Sequence, residues 1–504
     1  MPEPAQRPRS GSLSAAGSFP ETGSLPAPGS LPAPGSSPEA EIAQFLDIEE
    51  LREWVAQQRW YASKSRSVAG IEIVESVALR EDPLPLLFIA LVQARFATGT
   101  HELYQLPLGL APRASTPTPN PSTTADPIAT TVDWIVYDAL ADPRHALELL
   151  ARIEATGQIE TPDGRFSFHR ADGSAALTGE VEVRLVGVEQ SNSSVVFGDR
   201  LVLKVFRKLE PGINPELELL RFLTARGFPH IAPLHGWYEY EGQALAATLG
   251  VVQEFLPDAV GGWELALAEI DQRPEAFLER LGSLGAVTAQ MHTALASDAN
   301  DPAFSPEESS QEAISLLSAT IDEDIERIFL RLPDDERLAP IAGRGQDVRE
   351  RLATRAQIGI GGRVIRTHGD YHLGQTLHTR RGWVIIDFEG EPARPLSERR
   401  QKRSPLRDVA SMLRSFAYVS TAVEILHGAR PPEDFEQQAR ARFLERYFAE
   451  VDPALLPSGQ AAIANLLSVY ELEKAIYELQ YELDNRPDWV SIPVAGIRRL
   501  LESA

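Results

Sequence analysis

The sequence predicts an α+β protein with a strand-rich first half and a mainly helical second half. Apolar and polar residues alternate over 181–207 on either side of Gly198-Asp199, which is typical of a β-hairpin. After a further strand predicted at 251–256, the apolar residues recur at helical spacing instead. This helical period covers residues 277–292, 311–332, 406–426, 435–448 and 463–483. The 504 residues suffice for roughly two to four domains.

The first forty residues form a low-complexity segment in which Gly-Ser dipeptides recur every six residues. Such a composition buries too little apolar surface to offset chain entropy, so we predict a disordered tail over residues 1–40. Arg7 and Arg9 are not followed by the apolar stretch of a signal peptide, so we expect a cytoplasmic protein. The longest apolar run, Leu84–Val92, is about half of the ~18 residues that a spanning helix needs. We therefore expect no transmembrane helix.

Order is expected to begin near Glu41, and residues 41–110 predict a small α+β unit. The Pro/Ser/Thr-rich stretch 111–131 favours an exposed loop or linker after it. Composition restricts the chemistry further. The chain has no cysteine, which excludes disulfides and thiolate chemistry, and its net charge of −24 disfavours nucleic acid or an anionic membrane as a partner.

The stretch from Thr367 to Pro392 carries the strongest chemical signal. Its loop HGDYHLGQ contains Asp370 and Gln375, and the strand VIID that follows ends at Asp387. One carboxylate can orient an attacking hydroxyl and accept its proton, while the other and the amide oxygen suit Mg²⁺. These residue types in this order are what phosphoryl transfer to a hydroxyl requires.

The same stretch resembles the protein-kinase-like fold and, more narrowly, the aminoglycoside-phosphotransferase group of small-molecule kinases. That group has an H-x-D-x-x-x-x-N loop followed by a D-x-D or D-x-E strand end, which Asp370, Gln375, Asp387 and Glu389 match. Gln375 replaces the usual Asn, and its oxygen is the same type of ligand one methylene further out. The resemblance implies a bilobal fold with a small mixed lobe and a larger helical lobe.

Lys204, in the strand LVLKVF, is the candidate for the lysine that contacts ATP phosphates in such a fold. Taken alone, a lysine on an apolar strand lies more often at an edge with its charge in water. Its place before the helix predicted over 215–226 favours the kinase role, in which a helix glutamate holds the lysine. We prefer Glu218 for that glutamate and keep Glu216 open.

The loop that precedes Lys204 is not glycine-rich, so hydroxyls and backbone N–H groups would hold the phosphates. The strand between the lobes would contact adenine. The residues concerned are Ser191, Ser193 and Ser194 for the phosphates and Gln253, Glu254 and Phe255 for the base.

Longer strings closely resemble the actinobacterial maltokinases over about residues 41–501. They are VEQSNSSVVFGDRLVLKVFRKLEPGINPELEL, HGDYHLGQTL, IDFEGEPARPLSERRQKRSPLRDVASMLRSFAY and YELDNRPDWVSIPVAGI. These enzymes use ATP to phosphorylate the anomeric hydroxyl of maltose, giving maltose 1-phosphate for α-glucan (glycogen) synthesis. The resemblance implies Asp370 as the catalytic base, Gln375 and Asp387 as Mg²⁺ ligands, and ATP as phosphoryl donor. It also implies an N-terminal cap (41–135), a nucleotide-binding lobe (136–256) and a catalytic, sugar-binding lobe (257–504), and it leaves open a complex with a maltose-producing enzyme.

Sugar contacts are expected beside Asp370 and on the late helix. Directional hydrogen bonds and aromatic faces hold neutral sugars. The candidates are His368, Tyr371, His372, Glu471, Lys474 and Tyr477. A zinc site at His368-x-Asp370-x-His372 lacks a fourth ligand of typical spacing, and His372 can equally be a buried structural histidine.

Three further features are interpreted as structural. The basic run 398–403 predicts a solvated loop, and Arg407-Asp408 at the next helix start is expected to brace the catalytic loop as a pair. Glu389 is placed with them as structural support.

Two other functions stay open. A kinase of another sugar, such as glucosamine, shares the scaffold and would place an acidic residue against the substrate amine. A pseudokinase or scaffold would bind nucleotide or a partner without turnover.

Overall fold

The computed structural model describes residues 42, 45–61, 63–113, 127–175, 181–188, 192–357, 361–428 and 431–502. The predicted disordered tail lies outside these residues, and so does most of the predicted Pro/Ser/Thr-rich loop. The two ends of that loop are strands rather than loop, because strand β3 extends to Pro112 and β4 occupies Ala129–Thr130.

The first part of the chain is an antiparallel sheet in the order β1-β2-β3-β5-β4. A short helix, α1 (Ile48–Gln57), packs against it, with Leu51 and Val55 buried in an apolar core of its own. The strands are β1 (Val68–Arg80), β2 (Leu86–Phe96), β3 (His101–Pro112), β4 (Ala129–Thr130) and β5 (Trp134–Asp138). This is the small α+β unit that the sequence predicts.

A seven-stranded sheet follows, in the order β6-β7-β12-β13-β10-β9-β8. Its strands are β6 (Gln158–Glu160), β7 (Gly164–Arg170), β8 (Val183–Val188), β9 (Asn192–Phe197), β10 (Leu201–Phe206), β12 (Leu234–Gly242) and β13 (Ala246–Glu254). Strand β10 lies inside the sheet, and its side chains alternate, with Leu203 and Val205 fully buried and Lys204 facing the other side. The predicted hairpin about Gly198-Asp199 is therefore confirmed as β9-β10.

Two helices cover this seven-stranded sheet. A short strand that follows β10 pairs with the sheet of the first part of the chain. Helix α2 (Pro143–Ala155) contacts β7, and α3 (Pro215–Ala225) contacts β12. Helix α3 begins where the sequence predicts, because the Asn214 side chain accepts the N–H of Glu216 at 2.8 Å and Pro215 occupies the first turn. Strand β11 (Lys208–Leu209) pairs with β3.

The remainder is mainly helical, as predicted. Its helices are α4 (Gly262–Glu269), α5 (Pro274–Leu295), α6 (Gln311–Phe329), α7 (Gly345–Arg355), α8 (Leu396–Arg399), α9 (Leu406–His427), α10 (Phe435–Glu450), α11 (Gln460–Asn485) and α12 (Ser491–Glu502). Short strands β14 (Val260–Gly261), β15 (Glu307–Glu308), β16 (Arg363–Val364), β17 (Thr376–Thr379) and β18 (Gly382–Ile385) complete it.

Among the described residues, one helix is long and apolar enough to cross a membrane by length and composition alone, namely 406–426 in α9. Most of that window, 61%, is buried inside the protein. Its Arg414 forms a buried ion pair with Glu478 of α11 at 2.6 Å. These are the features of a core helix that packs on α11.

Candidate active site

The loop that carries Asp370 is held in place by a buried carboxylate from α9. Asp408 accepts the backbone N–H groups of His368 (2.8 Å) and Gly369 (3.0 Å), and Nε2 of His292 lies 3.2 Å from it. Burial acts to raise the pKa of Asp408, but the histidine and the backbone donors outweigh it and lower that pKa. Asp408 thus braces the loop as an ionised acceptor.

Arg407 does not share in this brace, contrary to the prediction of an Arg–Asp pair. Its guanidinium turns the other way and pairs with Glu473 at 3.1 Å. Adjacent residues on a helix point about 100° apart, which is why the two side chains cannot meet the same loop.

Asp387 follows β18 and adopts a left-handed backbone conformation, with φ of 63°. Its Oδ1 lies 2.6 Å from the ammonium of Lys204, and its Oδ2 accepts the side-chain amide of Gln375 at 2.9 Å. Burial acts to raise the pKa of Asp387, but Lys204, His368 and the amide of Gln375 together outweigh it and lower that pKa. The loop bearing Asp370 and the strand end bearing Asp387 are therefore joined through Gln375, as the sequence order predicts.

The ammonium of Lys204 lies among three carboxylates. Besides Asp387, it contacts Glu216 at 2.7 Å and Glu389 at 2.6 Å. Burial raises the pKa of Glu216 to about 8, the neighbouring carboxylates add to the rise, and Lys204 opposes it. One cation cannot neutralise three carboxylates, so the cluster favours an additional positive charge or a proton.

The preference for Glu218 as the partner of Lys204 is wrong, and Glu216 takes that position. Residues two apart on a helix face directions about 200° apart, so only one of them can face β10. Glu218 instead contacts Arg366 (2.5 Å) and Arg400 (2.7 Å) in the helical part.

Oxygen ligands suited to Mg²⁺ occur in this cluster. One oxygen from each of Glu216, Asp387 and Glu389 lies within 4.8 Å of the others. The ammonium already in their midst shows that the arrangement accommodates a cation. Glu389, predicted only as structural support, belongs to this group and also accepts the side-chain amide of Asn192 at 2.5 Å.

Two of the serines predicted to hold phosphates lie in strand β9 instead of in the loop, and Ser191 lies outside the described residues. Ser193 is buried, and its hydroxyl accepts the Nε–H of Arg207 at 3.0 Å, so it faces away from the cleft. Ser194 is opposite Lys204 in the β9-β10 ladder and shares its face.

At the strand end predicted to contact adenine, two backbone N–H groups already donate hydrogen bonds within the protein. The backbone N–H of Glu254 donates to Pro233 at 3.0 Å, and that of Phe255 donates to Arg200 at 2.8 Å. The side chain of Gln253 lies 3.4 Å from Glu216. Any backbone donor for a nucleotide base must therefore come from a neighbouring position.

A cavity of about 520 Å³ opens beside Asp370. Aromatic and ionisable side chains line it from α4, α9, α11, the turn after α11 and the segment after β18, including Trp263, Tyr418, Tyr477, Tyr481, Trp489, Glu264, Glu391 and Glu478. Lys474 Nζ lies 3.4 Å from Oδ1 of Asp370. Burial acts to lower the pKa of Lys474, but Asp370, Glu391 and the other acidic neighbours together outweigh it and raise that pKa, so a cation stands beside the Asp370 carboxylate.

Of the predicted sugar contacts, His372, Lys474 and Tyr477 line this cavity and three others do not. His368 is buried and its Nε2 bonds to the carbonyl of Ile386 at 2.9 Å, while the buried Tyr371 hydroxyl bonds to Thr288 at 2.9 Å. Glu471 pairs with Arg440 at 2.7 Å.

These three predictions fail for a common reason. Each residue lies close in sequence to a residue that lines the cavity, but its own side chain points elsewhere. Because its nitrogens are engaged within the protein, His368 is no zinc ligand either. The sequence reasoning missed Trp263, Glu391, Tyr418 and Trp489, which come from four separate segments.

Comparison with known proteins defines the class. Residues 182–390 match the phosphotransferase enzyme family, and residues 54–142 match the maltokinase N-terminal cap domain. Residues 182–390 are thus similar to this phosphotransferase family, and a maltokinase-type cap precedes them. The predicted cap and kinase-like fold are confirmed.

Two curated relatives are named glucosamine kinase. The one from Streptacidiphilus jiangxiensis is 28% identical over 71% of this chain and 80% of its own length. The one from Mycolicibacterium smegmatis (strain ATCC 700084 / mc(2)155) is 27% identical over 63% of this chain and 79% of its own.

Solved structures show the same fold. A glucosamine kinase in complex with glucosamine, ADP and inorganic phosphate superposes with a TM-score of 0.65 and 20% identity, covering 89% of this chain and 98% of that one. A second crystal form of a glucosamine kinase gives a TM-score of 0.66 at 20% identity, covering 90% of this chain and 99% of that one.

Proposed function

We propose that this protein transfers the γ-phosphoryl group of ATP to a sugar hydroxyl, and that the sugar is maltose, phosphorylated at its anomeric position. The observation that carries the proposal is the junction of two sites. The loop that places Asp370, His372 and Gly374 in the cavity lining continues to Gln375, whose side-chain amide donates to Asp387 of the Lys204 cluster.

In this mechanism each residue has a separate task. Asp370 orients the acceptor hydroxyl and takes its proton, and Lys204 contacts the phosphates once Glu216 fixes its position. Asp387 and Glu389, with the amide oxygen of Gln375 after rotation of that side chain, would hold Mg²⁺. The metal would neutralise charge on the transferring group. Positioning then accounts for much of the acceleration, because phosphoryl transfer needs little covalent help from protein.

The lining of the cavity supports a neutral sugar of more than one ring. Five aromatic side chains offer faces on which sugar rings can pack. Two of the carboxylates are already paired, Glu478 with Arg414 at 2.6 Å and Glu391 with Arg394 at 2.6 Å. They are therefore poorly placed to meet a substrate ammonium as well.

Glucosamine is the second candidate, and two observations favour it. The relatives named above are glucosamine kinases. Glu264 also lines the cavity, is exposed, and has no ion pair among the described residues, so it can meet an amine.

A coupled ADP-release assay across maltose, glucose, glucosamine and a sugar-free blank separates these functions, with ³¹P NMR of the product to identify the phosphorylated hydroxyl. We expect maltose to give the largest kcat/KM and an anomeric phosphate. A larger kcat/KM for glucosamine, abolished in Glu264→Gln, would replace maltose by the second candidate. ADP release that no sugar stimulates would contradict the kinase proposal as a whole.

A further inference from the structure

The basic run predicted as a solvated loop instead joins the two halves of the site. Helix α8 and the residue after it, Leu396–Arg400, are here called the strap. Arg400 makes two parallel bonds to Glu218 of α3, from Nε to Oε2 at 3.0 Å and from Nη2 to Oε1 at 2.7 Å. Such a fork on a carboxylate fixes both distance and orientation.

The strap also contacts the segment just before α3. The backbone N–H of Leu396 donates to Glu210 at 3.2 Å, and Arg399 forms an ion pair with the same carboxylate. A side chain at Gly212 would come within 3.3 Å of Leu396, so the two segments are in close approach. The strap therefore contacts α3 at its first turn and at its leading loop.

On its other side the strap contacts the catalytic segments. Arg399 donates to the carbonyl oxygen of Glu389 at 3.1 Å, next to the carboxylate cluster. Arg366, which precedes Asp370 by four residues, has only 2% of its side chain exposed. Among the described residues, its side chain hydrogen-bonds only to Glu218. Glu218 is thus the point at which α3, the strap and the Asp370 loop meet.

Glu216 lies two residues before Glu218 on the same turn of α3. A movement of that turn moves the carboxylate that holds Lys204. The junction contains one more positive charge than negative, because the guanidiniums of Arg366 and Arg400 both contact the carboxylate of Glu218. Loss of one guanidinium leaves a paired carboxylate rather than a bare buried charge.

We propose that Arg400 is a positioning residue, which acts through Glu218 to hold α3 where Glu216 meets Lys204 and thereby sets the affinity for Mg·ATP. This inference rests on the proposed kinase function where the KM for Mg·ATP is measured. The Kd for Mg·ADP requires nucleotide binding alone. Arg400 itself touches neither nucleotide nor acceptor in this account.

The test compares Arg400→Gln, Arg400→Lys and the wild type. The control is Arg363→Gln, which breaks an exposed pair with Glu308 (3.2 Å) that involves no strap residue. We expect Arg400→Gln to raise the KM for Mg·ATP and the Kd for Mg·ADP by about tenfold, since a bidentate charged hydrogen bond is lost. The KM for the sugar and the melting temperature should change little, Arg400→Lys should restore part of the affinity, and the control should match the wild type.

Two results would overturn the proposal. One is an Arg400→Gln variant whose Kd for Mg·ADP is unchanged. The other is an equal rise of both KM values with a lower melting temperature, which would indicate general loosening. A wild type that phosphorylates no sugar would contradict the proposed function. The Kd for Mg·ADP would still test the role of Arg400, because its measurement needs no sugar turnover. Glu210→Gln, on the second strap contact, provides a repeat of the test by an independent residue.

Discussion

Replacing Asp408 by alanine should destabilise the protein and impair catalysis together. The carboxylate accepts the backbone N–H groups of His368 and Gly369, and both it and its histidine partner are buried. Alanine leaves those two donors without a partner in a site that water does not reach. An unsatisfied buried donor costs roughly 1–3 kcal/mol, so the free energy of unfolding should fall by about 2–6 kcal/mol. That is a large part of the roughly 5–15 kcal/mol of a typical domain.

Catalysis should suffer because the same two N–H groups belong to the loop that carries Asp370. A displacement of about 1 Å in a reacting group can cost ~10²-fold in rate. Urea unfolding monitored by circular dichroism would give the stability, and coupled ADP release would give kcat for protein that remains folded. Asp298→Ala is the matched control, since Asp298 also accepts two backbone N–H groups, of Asn300 and Asp301, but lies partly in solvent.

In the control, water can take over the vacated hydrogen bonds, so its unfolding midpoint and kcat should stay near those of the wild type. The reasoning is refuted if Asp408→Ala unfolds at the wild-type urea concentration with unchanged kcat. It is also refuted if both alanine variants lose the same stability.

Three further outcomes are expected. Burial lowers the pKa of His145 from 6.5 to about 4, so between those pH values the unfolded chain binds a proton that the folded chain does not. Urea unfolding across pH should show stability fully present above pH 6.5 and lost as the pH falls toward 4, by about 3 kcal/mol more in wild type than in His145→Gln. Glu389→Gln should raise the Mg²⁺ concentration for half-maximal activity by roughly tenfold or more, measured by metal titration, and an unchanged midpoint would remove Glu389 from the cation site. Tyr477→Ala should raise the KM for the sugar, whereas Glu471→Gln, which breaks a buried pair with another helix, should lower the melting temperature and leave that KM unchanged; the reverse pattern would contradict the assignment of the cavity.

The sequence was informative where local rules act alone. Asn214 and Pro215 mark the start of α3 because capping is decided within one turn of chain. Gly198-Asp199 marks the β9-β10 turn for the same reason. Gln375 contacts Asp387 because only the short hairpin β17-β18 separates the two residues in sequence.

The sequence was uninformative where the orientation of a side chain depends on partners that are distant in sequence. Glu216 and Glu218 have the same chemistry and lie on the same turn, and only the placement of Lys204 and of Arg400 decides between them. His368 has the residue type of a sugar ligand, but the carbonyl of Ile386 takes its free nitrogen.

The aromatic lining shows the same limit. Trp263, Tyr418 and Trp489 are 71 to 226 residues apart, and no local pattern connects them. They face one cavity because α4, α9 and the turn after α11 pack together. The strap was missed likewise, since a run of arginines is equally typical of a solvated loop when its glutamate partners lie about 180 residues earlier.

The most direct test of the central claim is a comparison of wild type with Asp370→Asn in two measurements on the same preparations. These are sugar-dependent ADP release and the Kd for Mg·ADP. If Asp370 takes the proton of the acceptor hydroxyl beside a separate nucleotide site, turnover should fall by roughly 10²–10⁴-fold while the Kd stays within about twofold. Turnover of Asp370→Asn at the wild-type rate would contradict the account.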